Sequence, residues 1–321
     1  MKRRLSFLSL VLIGLVILSY SICNSNDYHL FIKSDVGGHG HGYLYYDDAV
    51  WTRRVFIGYE NEIGVSYADL SPDRSRIAFK QRSFLNIFDL SSNQLTQVNL
   101  ESLYATEETS IRWSPDGSRI GLPCRLEYKE TTEVCTWDVT KGELHVLSNL
   151  HPNYGKFDYL LFGGWSADAK TIAFIIAYPE DNEGNKLQRI LLLDLDTGDV
   201  IEVLNSQRAS LDINLDSALS PNGKTILFSG NTLLEKQKKD YMPSQYQVNS
   251  DGSGLHRLLE SDHWSLFQPV WSPDGDSFFV NAYNHNTTIP LKYDLSGRLI
   301  GILPFQLGRW MLSWRSAPSG K

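Results

Sequence analysis

Eight histidines, 37 acidic residues and three cysteines are the side chains in this 321-residue chain that could hold a metal, move a proton or attack a substrate. His39 and His41, in the run Gly37-Gly-His-Gly-His-Gly42, could offer two imidazoles to a metal. A metal site needs a third or fourth ligand at fixed spacing. The run supplies none, so it reads as a glycine-rich loop and no metal is assigned. Asp194-Leu-Asp-Thr-Gly-Asp199 and Asn249-Ser-Asp-Gly-Ser-Gly254 look superficially like calcium loops, but lack the twelve-residue pattern closed by a glutamate. No Gly-x-Ser-x-Gly elbow, Walker sequence, dinucleotide fingerprint or His-Glu-x-x-His is present. No catalytic residue and no cofactor is therefore assigned.

The composition, 42% hydrophobic and 21% charged with a net charge of −7, is that of a globular protein with ample material for a core. The body of the chain carries no basic cluster to neutralise a phosphate backbone, which argues against nucleic acid as a partner. Lys2, Arg3 and Arg4 precede an apolar stretch from Leu5 to Ile22, the pattern of a positive n-region and an h-region. Residues 1–23 are thus expected to be a signal peptide or an N-terminal membrane anchor. Ser19-Tyr20-Ser21 offers a cleavage site, and Cys23 stands where a lipidated cysteine would. Either way the body is expected at the periplasmic or extracellular side, touching the membrane only through this segment. Cys124 and Cys135 then remain as a pair, and they would face each other across a hairpin centred on Lys129-Glu130. A disulfide in an oxidising compartment is the expectation, with two buried thiols as the alternative.

The elements that must position any site are set by a repeat. Leu70-Ser-Pro-Asp-Arg-Ser-Arg-Ile-Ala-Phe79, Trp113-Ser-Pro-Asp-Gly-Ser-Arg-Ile-Gly-Leu122, Trp165-Ser-Ala-Asp-Ala-Lys-Thr-Ile-Ala-Phe174, Leu219-Ser-Pro-Asn-Gly-Lys-Thr-Ile-Leu-Phe228 and Trp271-Ser-Pro-Asp-Gly-Asp-Ser-Phe-Phe-Val280 superpose without gaps. Their serines are 43, 52, 54 and 52 residues apart, the period of a four-stranded unit. Pro-Asp-Gly is turn chemistry between strands a and b of each unit. Strands c and d follow, as in Arg189-Ile-Leu-Leu-Leu-Asp194 and Val200-Ile-Glu-Val-Leu204. Met311-Leu-Ser-Trp314 has the place of a further strand a, and Tyr28-His-Leu-Phe-Ile32, Tyr43-Leu-Tyr-Tyr-Asp47 and Arg54-Val-Phe-Ile57 read as b, c and d without an a. The expected fold is all-β: a single six-bladed β-propeller over residues 24–321, closed by one C-terminal strand joined to three N-terminal ones.

These repeats resemble the TolB-like, WD-repeat-like propeller repeats of bacterial envelope proteins, over nearly all of residues 28–315. The resemblance implies the fold, and it implies function only broadly, since such propellers occur as binding scaffolds and within peptidases. Only about five residues separate the N-terminal segment from the first expected strand, so neither the small α/β domain of TolB nor the hydrolase domain of peptidase relatives is expected beside this propeller.

Connections a→b and c→d are tight turns on one face. The b→c and d→a connections fall on the other and are longer, notably Ala177 to Gln188, Ser229 to Ser244, Asn149 to Gly163, Asn205 to Asp216 and Ser261 to Gln268. Long connections on a rigid scaffold are where binding concentrates. The candidate binding residues there are Tyr104, His151, Tyr154, Tyr159, Tyr241, His263, Trp264, Tyr283 and His285. Trp113, Trp165, Trp271 and Trp314 recur at the repeat period and are read as inter-blade packing. Asp116, Asp168 and Asp274 are read as turn residues. The expected function is a non-catalytic, monomeric binding module for an envelope protein or surface polysaccharide. The alternative is a hydrolase or lyase acting on a sugar or lactone at the mouth of the central channel.

Overall fold

The computed structural model describes residues 28–34, 42–47, 52–55, 68–81, 84–100, 110–125, 132–180, 186–238, 241–284, 287–303 and 310–315. The N-terminal segment with Cys23, and also His39, His41, Tyr104 and His285, lie outside them. Near the N-terminus run β1 (Tyr28–Ser34), β2 (Gly42–Asp47) and β3 (Thr52–Val55). Five antiparallel sheets then follow, each made of four consecutive strands. They are β4 to β7 (Ala68–Leu70, Arg76–Gln81, Phe84–Asp89, Leu95–Asn99), β8 to β11 (Arg112–Trp113, Arg119–Arg125, Thr132–Asp138, Glu143–Val146) and β12 to β15 (Tyr159–Trp165, Thr171–Ala177, Gln188–Asp194, Val200–Asn205). After these come β16 to β19 (Leu211–Leu219, Thr225–Thr232, Ser244–Asn249, His256–Leu259) and β20 to β23 (Ser265–Trp271, Ser277–Asn284, Thr287–Asp294, Leu299–Ile302). The last strand, β24 (Trp310–Arg315), pairs antiparallel with β1, giving a composite sheet in the order β24-β1-β2-β3. Among the described residues three single-turn helices, α1 (His151–Tyr154), α2 (Ser206–Ala209) and α3 (Leu233–Lys236), sit in the connections. The architecture is an all-β propeller.

The motif folds the same way in every copy because its serine bonds in two directions. The hydroxyls of Ser71, Ser114, Ser166 and Ser272 donate to Asp73, Asp116, Asp168 and Asp274 at 2.5–2.6 Å. Ser220 donates to Asn222 at 2.8 Å, so the amide serves where the acid is missing. Each serine Oγ also accepts the backbone N–H five residues on, for example Arg119 N at 2.9 Å and Ser277 N at 3.0 Å. The turn needs a left-handed residue after the acid, and Gly117, Gly223 and Gly275 provide it at φ between 70° and 78°. Arg74 and Ala169 hold the same conformation at 63° and 57° without being glycine. The Ser166 hydroxyl, followed by the Lys170 backbone N–H, holds the Asp168 carboxyl below its ordinary value, as expected of an acid fixed as an acceptor. The repeated acids are turn residues, not a catalytic pair.

Apolar clusters fill the spaces between neighbouring sheets. Ile175, Ile190 and Leu192 meet Ile213, Ile226 and Phe228 between the third and fourth contiguous blades, and Leu30 and Leu312 meet Ala68, Leu70 and Phe79 between the composite sheet and the first. Burying each large apolar side chain contributes about 1.5–3 kcal/mol. Three of the motif tryptophans add a directed bond, their indole N–H donating to strand a of the preceding blade. Trp113 Nε1 reaches Asp69 O at 3.1 Å, Trp165 reaches Arg112 O at 3.3 Å and Trp271 reaches Ala218 O at 3.0 Å.

Two expectations need correction. Cys124 lies opposite Glu133, and Cys135 opposite Leu122, so the cysteines are diagonal rather than facing. Their Cα atoms are nonetheless 5.8 Å apart, within the range a disulfide spans. Several of the long connections are also shorter than expected, because strand a begins earlier: Tyr159–Gly163, Leu211–Asp216 and Ser265–Gln268 belong to β12, β16 and β20. Register shifts at Phe162/Gly164, Ile213/Ser217 and Phe267/Val270 break the two-residue alternation there and hide these strands in the sequence.

One buried carboxylate joins three sheets. Asp69, 1% exposed, accepts from both the Trp113 backbone N–H at 2.8 Å and Arg315 Nη2 at 3.0–3.1 Å, while Arg315 Nε donates to Leu70 O at 2.9 Å. Replacing Arg315 by Ala leaves Asp69 charged and buried, so unfolding in urea is expected to show a loss of about 3–5 kcal/mol. An unchanged midpoint would show that the contact does not hold β24 in place.

Candidate functional site

Aligning the motif serines turns the repeat into layers around the propeller axis. Two residues before the serine stand Asp69, Arg112, Gly164, Ala218, Val270 and Ser313, and one residue after it stand Pro72, Pro115, Ala167, Pro221 and Pro273. Together with the edges of the motif tryptophans they line an axial cavity of about 310 Å³. It opens among the a→b turns, the face of short connections. The four motif tryptophans are 2–9% exposed, so they contribute edges to this wall while their bulk packs between blades.

Four residues before the serine the channel narrows to a chamber of about 30 Å³ lined by Ser110, Phe162, Asp216 and Gln268, with Arg112 and Leu312. The bulges of strands β16 and β20 build it. In β16 the three residues Asn214–Asp216 bulge between Ile213 and Ser217, and Asp216 Oδ1 accepts the Ser229 N–H at 2.9 Å. Its Oδ2 accepts the Gln268 N–H at 2.7 Å from the next blade. Gln268 stands at φ 45°, an uncommon conformation for a non-glycine residue that is held by this bond and by the bulge. Ser110 has the corresponding role between the second and third contiguous blades, accepting the Phe162 N–H at 2.5 Å and donating to Phe162 O at 3.1 Å. The side chain at this position thus bonds the backbone of the neighbouring blade, and in one blade that side chain is an acid.

Asp216 keeps part of its surface open to the channel yet is enclosed by protein on every other side. Burial, only partly offset by hydrogen bonds from Ser229 and Gln268, pushes its carboxyl above the ordinary aspartate value. Beside it the Gln268 Oε1 and the Ser217 Oγ are buried without a hydrogen-bond partner, each a cost of about 1–3 kcal/mol when left so.

The long-connection face brings some of the expected residues together and separates others. Leu266 N donates to Pro243 O at 2.8 Å and Ser265 Oγ to Met242 Sδ at 3.3 Å, which lays Tyr241–Pro243 alongside Trp264–Leu266. Tyr283 is across the ladder from Ser265. Tyr241 is 40% exposed, His263 is exposed, and Trp264 and Tyr283 are half-buried. Tyr154 is used elsewhere: Tyr178 Oη donates to its carbonyl at 2.8 Å, and Arg189 lies over both rings at 5.8 and 5.6 Å. Tyr159 is half-buried in β12, and His151 begins α1. Among the described residues no three His, Cys, Asp or Glu side chains gather as a metal site.

Asp216, Gln268 and Arg112 were not singled out by residue type. Their signal lies in two repeat columns: Asp216 and Gln268 share one with Ser110 and Phe162, and Arg112 shares the other with Asp69, Gly164, Ala218, Val270 and Ser313. An acid held above its ordinary value costs stability while ionised, and the cost lifts as falling pH protonates it. Asp216→Asn cannot ionise. Its stability relative to the parent chain is therefore expected to be most favourable at neutral and higher pH and to decline towards about pH 4. Urea titrations across that range would show a flat difference if Asp216 were not held this way.

No family model and no curated protein matches the chain. Solved structures do match. A TolB candidate from Agrobacterium tumefaciens superposes with a TM-score of 0.60 at 15% identity, covering 92% of this chain and 99% of the other. TolB from Acinetobacter baumannii gives 0.59 at 15%, covering 100% and 72%. An oligogalacturonate lyase from Vibrio parahaemolyticus gives 0.53 at 15%, covering 87% and 74%. At these identities the likeness is one of fold, and the fold of this chain is the TolB-like β-propeller.

Proposed function

We propose that this chain is an exported, non-catalytic β-propeller that recognises a protein partner or surface polymer through its long-connection face. Residues 1–23 direct export or anchor the chain, and residues 24–321 form one domain in which the composite sheet is the sixth blade and closes the ring. The observation that carries the binding reading is the shelf at the junction of the last two contiguous blades, where Tyr241, His263 and Trp264 from two connections are gathered with Tyr283 from the end of β21. Aromatic side chains with one apolar face and one polar tip suit such recognition, because they bury much area and lose little rotamer freedom. In the same connection Leu234 on α3 is 76% exposed. The TolB likeness in fold is compatible with a binding scaffold.

The test is a crosslinking pull-down from envelope fractions, paired with co-sedimentation on surface polysaccharide. Tyr241→Ala, together with Trp264→Ala, is expected to lower recovery about thirtyfold if either ring is an anchor worth roughly 2 kcal/mol. Undiminished recovery of every captured partner would remove this face from consideration. Export and the disulfide are checked together on the mature protein. Cys124 and Cys135 are expected to be joined, contributing roughly 2–3 kcal/mol by restricting the unfolded chain. Mass spectrometry under non-reducing conditions that finds both as free thiols would sink the oxidising compartment.

A further inference from the structure

We propose that the axial channel is a second binding site, separate from the long-connection face, and that it takes one small neutral polyol, a sugar ring or a cyclitol, whose hydroxyls meet Asp216 and Gln268.

The cavity of about 310 Å³ lies at the lower end of the range for small-molecule sites, roughly 300–1,000 Å³. Its wall is apolar where Pro72, Pro115, Pro221 and Pro273 present ring carbons, which suits the C–H faces of a sugar ring. Its floor is polar. Each Asp216 oxygen accepts one backbone N–H, from Ser229 and from Gln268, the Ser229 hydroxyl bonds the carboxyl as well, and the remaining lone pairs can take a further donor. The Gln268 Oε1 is an acceptor without a partner, and the Ser217 hydroxyl, in a residue only 8% exposed, has none either. Two acceptors and a hydroxyl in one narrow chamber ask for a molecule that is rich in O–H groups.

Charge narrows the choice. An anion would be repelled by Asp216 whenever it is ionised, and the Arg315–Asp69 pair on the channel wall carries no net charge to hold one. A neutral polyhydroxy compound avoids that penalty in either protonation state. The burial that favours the neutral form of Asp216 also suits it, since a protonated carboxyl can both donate to and accept from a hydroxyl. The backbone strain at Gln268, φ 45°, places its side chain on the chamber, as strained residues do at functional sites.

Gln268→Gly separates binding from folding. Glycine accepts the positive φ more readily, and the backbone N–H that bonds Asp216 is kept, so the Tm of the variant should equal or exceed that of the parent chain. The probes are D-glucose, D-galactose, D-mannose and myo-inositol, with dextran as a polymer of the first, read by calorimetry and thermal shift on the mature protein. At least one of the four is expected to bind saturably at one site per chain. Gln268→Gly should weaken that binding about tenfold or more. Tyr241→Ala should leave it unchanged, which keeps this result independent of the long-connection face. If Gln268→Gly fails to fold, Asp216→Asn takes its place with the same expected loss. Saturation by none of the four, parent-like affinity in the variant, loss in Tyr241→Ala, or binding of dextran alone would each overturn the proposal.

Discussion

A four-stranded blade has two apolar faces and cannot cover either one by itself. Everything else in this chain follows from that constraint. Each sheet is sealed by its neighbours, as where Ile175 and Leu192 meet Ile213 and Phe228. At three blade boundaries the seal is oriented by one recurrent bond, the indole N–H of a motif tryptophan donated to a carbonyl of the preceding strand a. Packing supplies most of the free energy and is nearly indifferent to rotation. The indole bond has a direction, so it fixes how one blade sits on the next and brings the innermost strands around a common axis.

The same constraint decides where polar side chains can be tolerated near that axis. Innermost strands have no further strand to pair with, and four of them, β12, β16, β20 and β24, bulge, freeing backbone N–H groups that must find partners. Ser110 and Asp216 serve that need across the blade boundary. Asp69 does so as well, and its charge is balanced by Arg315 from the far end of the chain. A single residue thus joins β24, β4 and β8. Asp216 is the exception, an acid that bonds two backbone N–H groups and has no arginine or lysine ion-paired to it among the described residues. Its environment differs from that of the turn acids. Asp168 is held low by the Ser166 hydroxyl at the surface, whereas Asp216 is pushed up by burial.

How far the sequence could be read follows the range of the forces involved. The Ser-Pro-Asp-Gly turns, the strands they join and the place of each blade were legible because Ser71 to Arg76 and its counterparts bond within five residues. The composite sheet was legible because a lone strand at one end matches three at the other. The long connections were overestimated because bulges disrupt alternation without removing the strand. The cysteine pair was placed in the right hairpin, but its register was set by the ladder, where Thr132 pairs with Arg125, and not by symmetry about the loop. Of the expected aromatic residues, Tyr241 and Trp264 came together, while Tyr154 was taken up by Tyr178 and Arg189.

By itself, the sequence determined a repeating four-stranded unit and the turn chemistry that punctuates it, because these depend on residues close together in the chain. Only the tertiary structure decided that the residues two before the motif serines converge on one channel with Ser110, Phe162, Asp216 and Gln268, and that Asp216 and Gln268, 52 residues apart, share a hydrogen bond there. The physical reason is that a channel wall is made of one strand from each blade. No local pattern records which of its positions will face the axis until the blades have closed against one another.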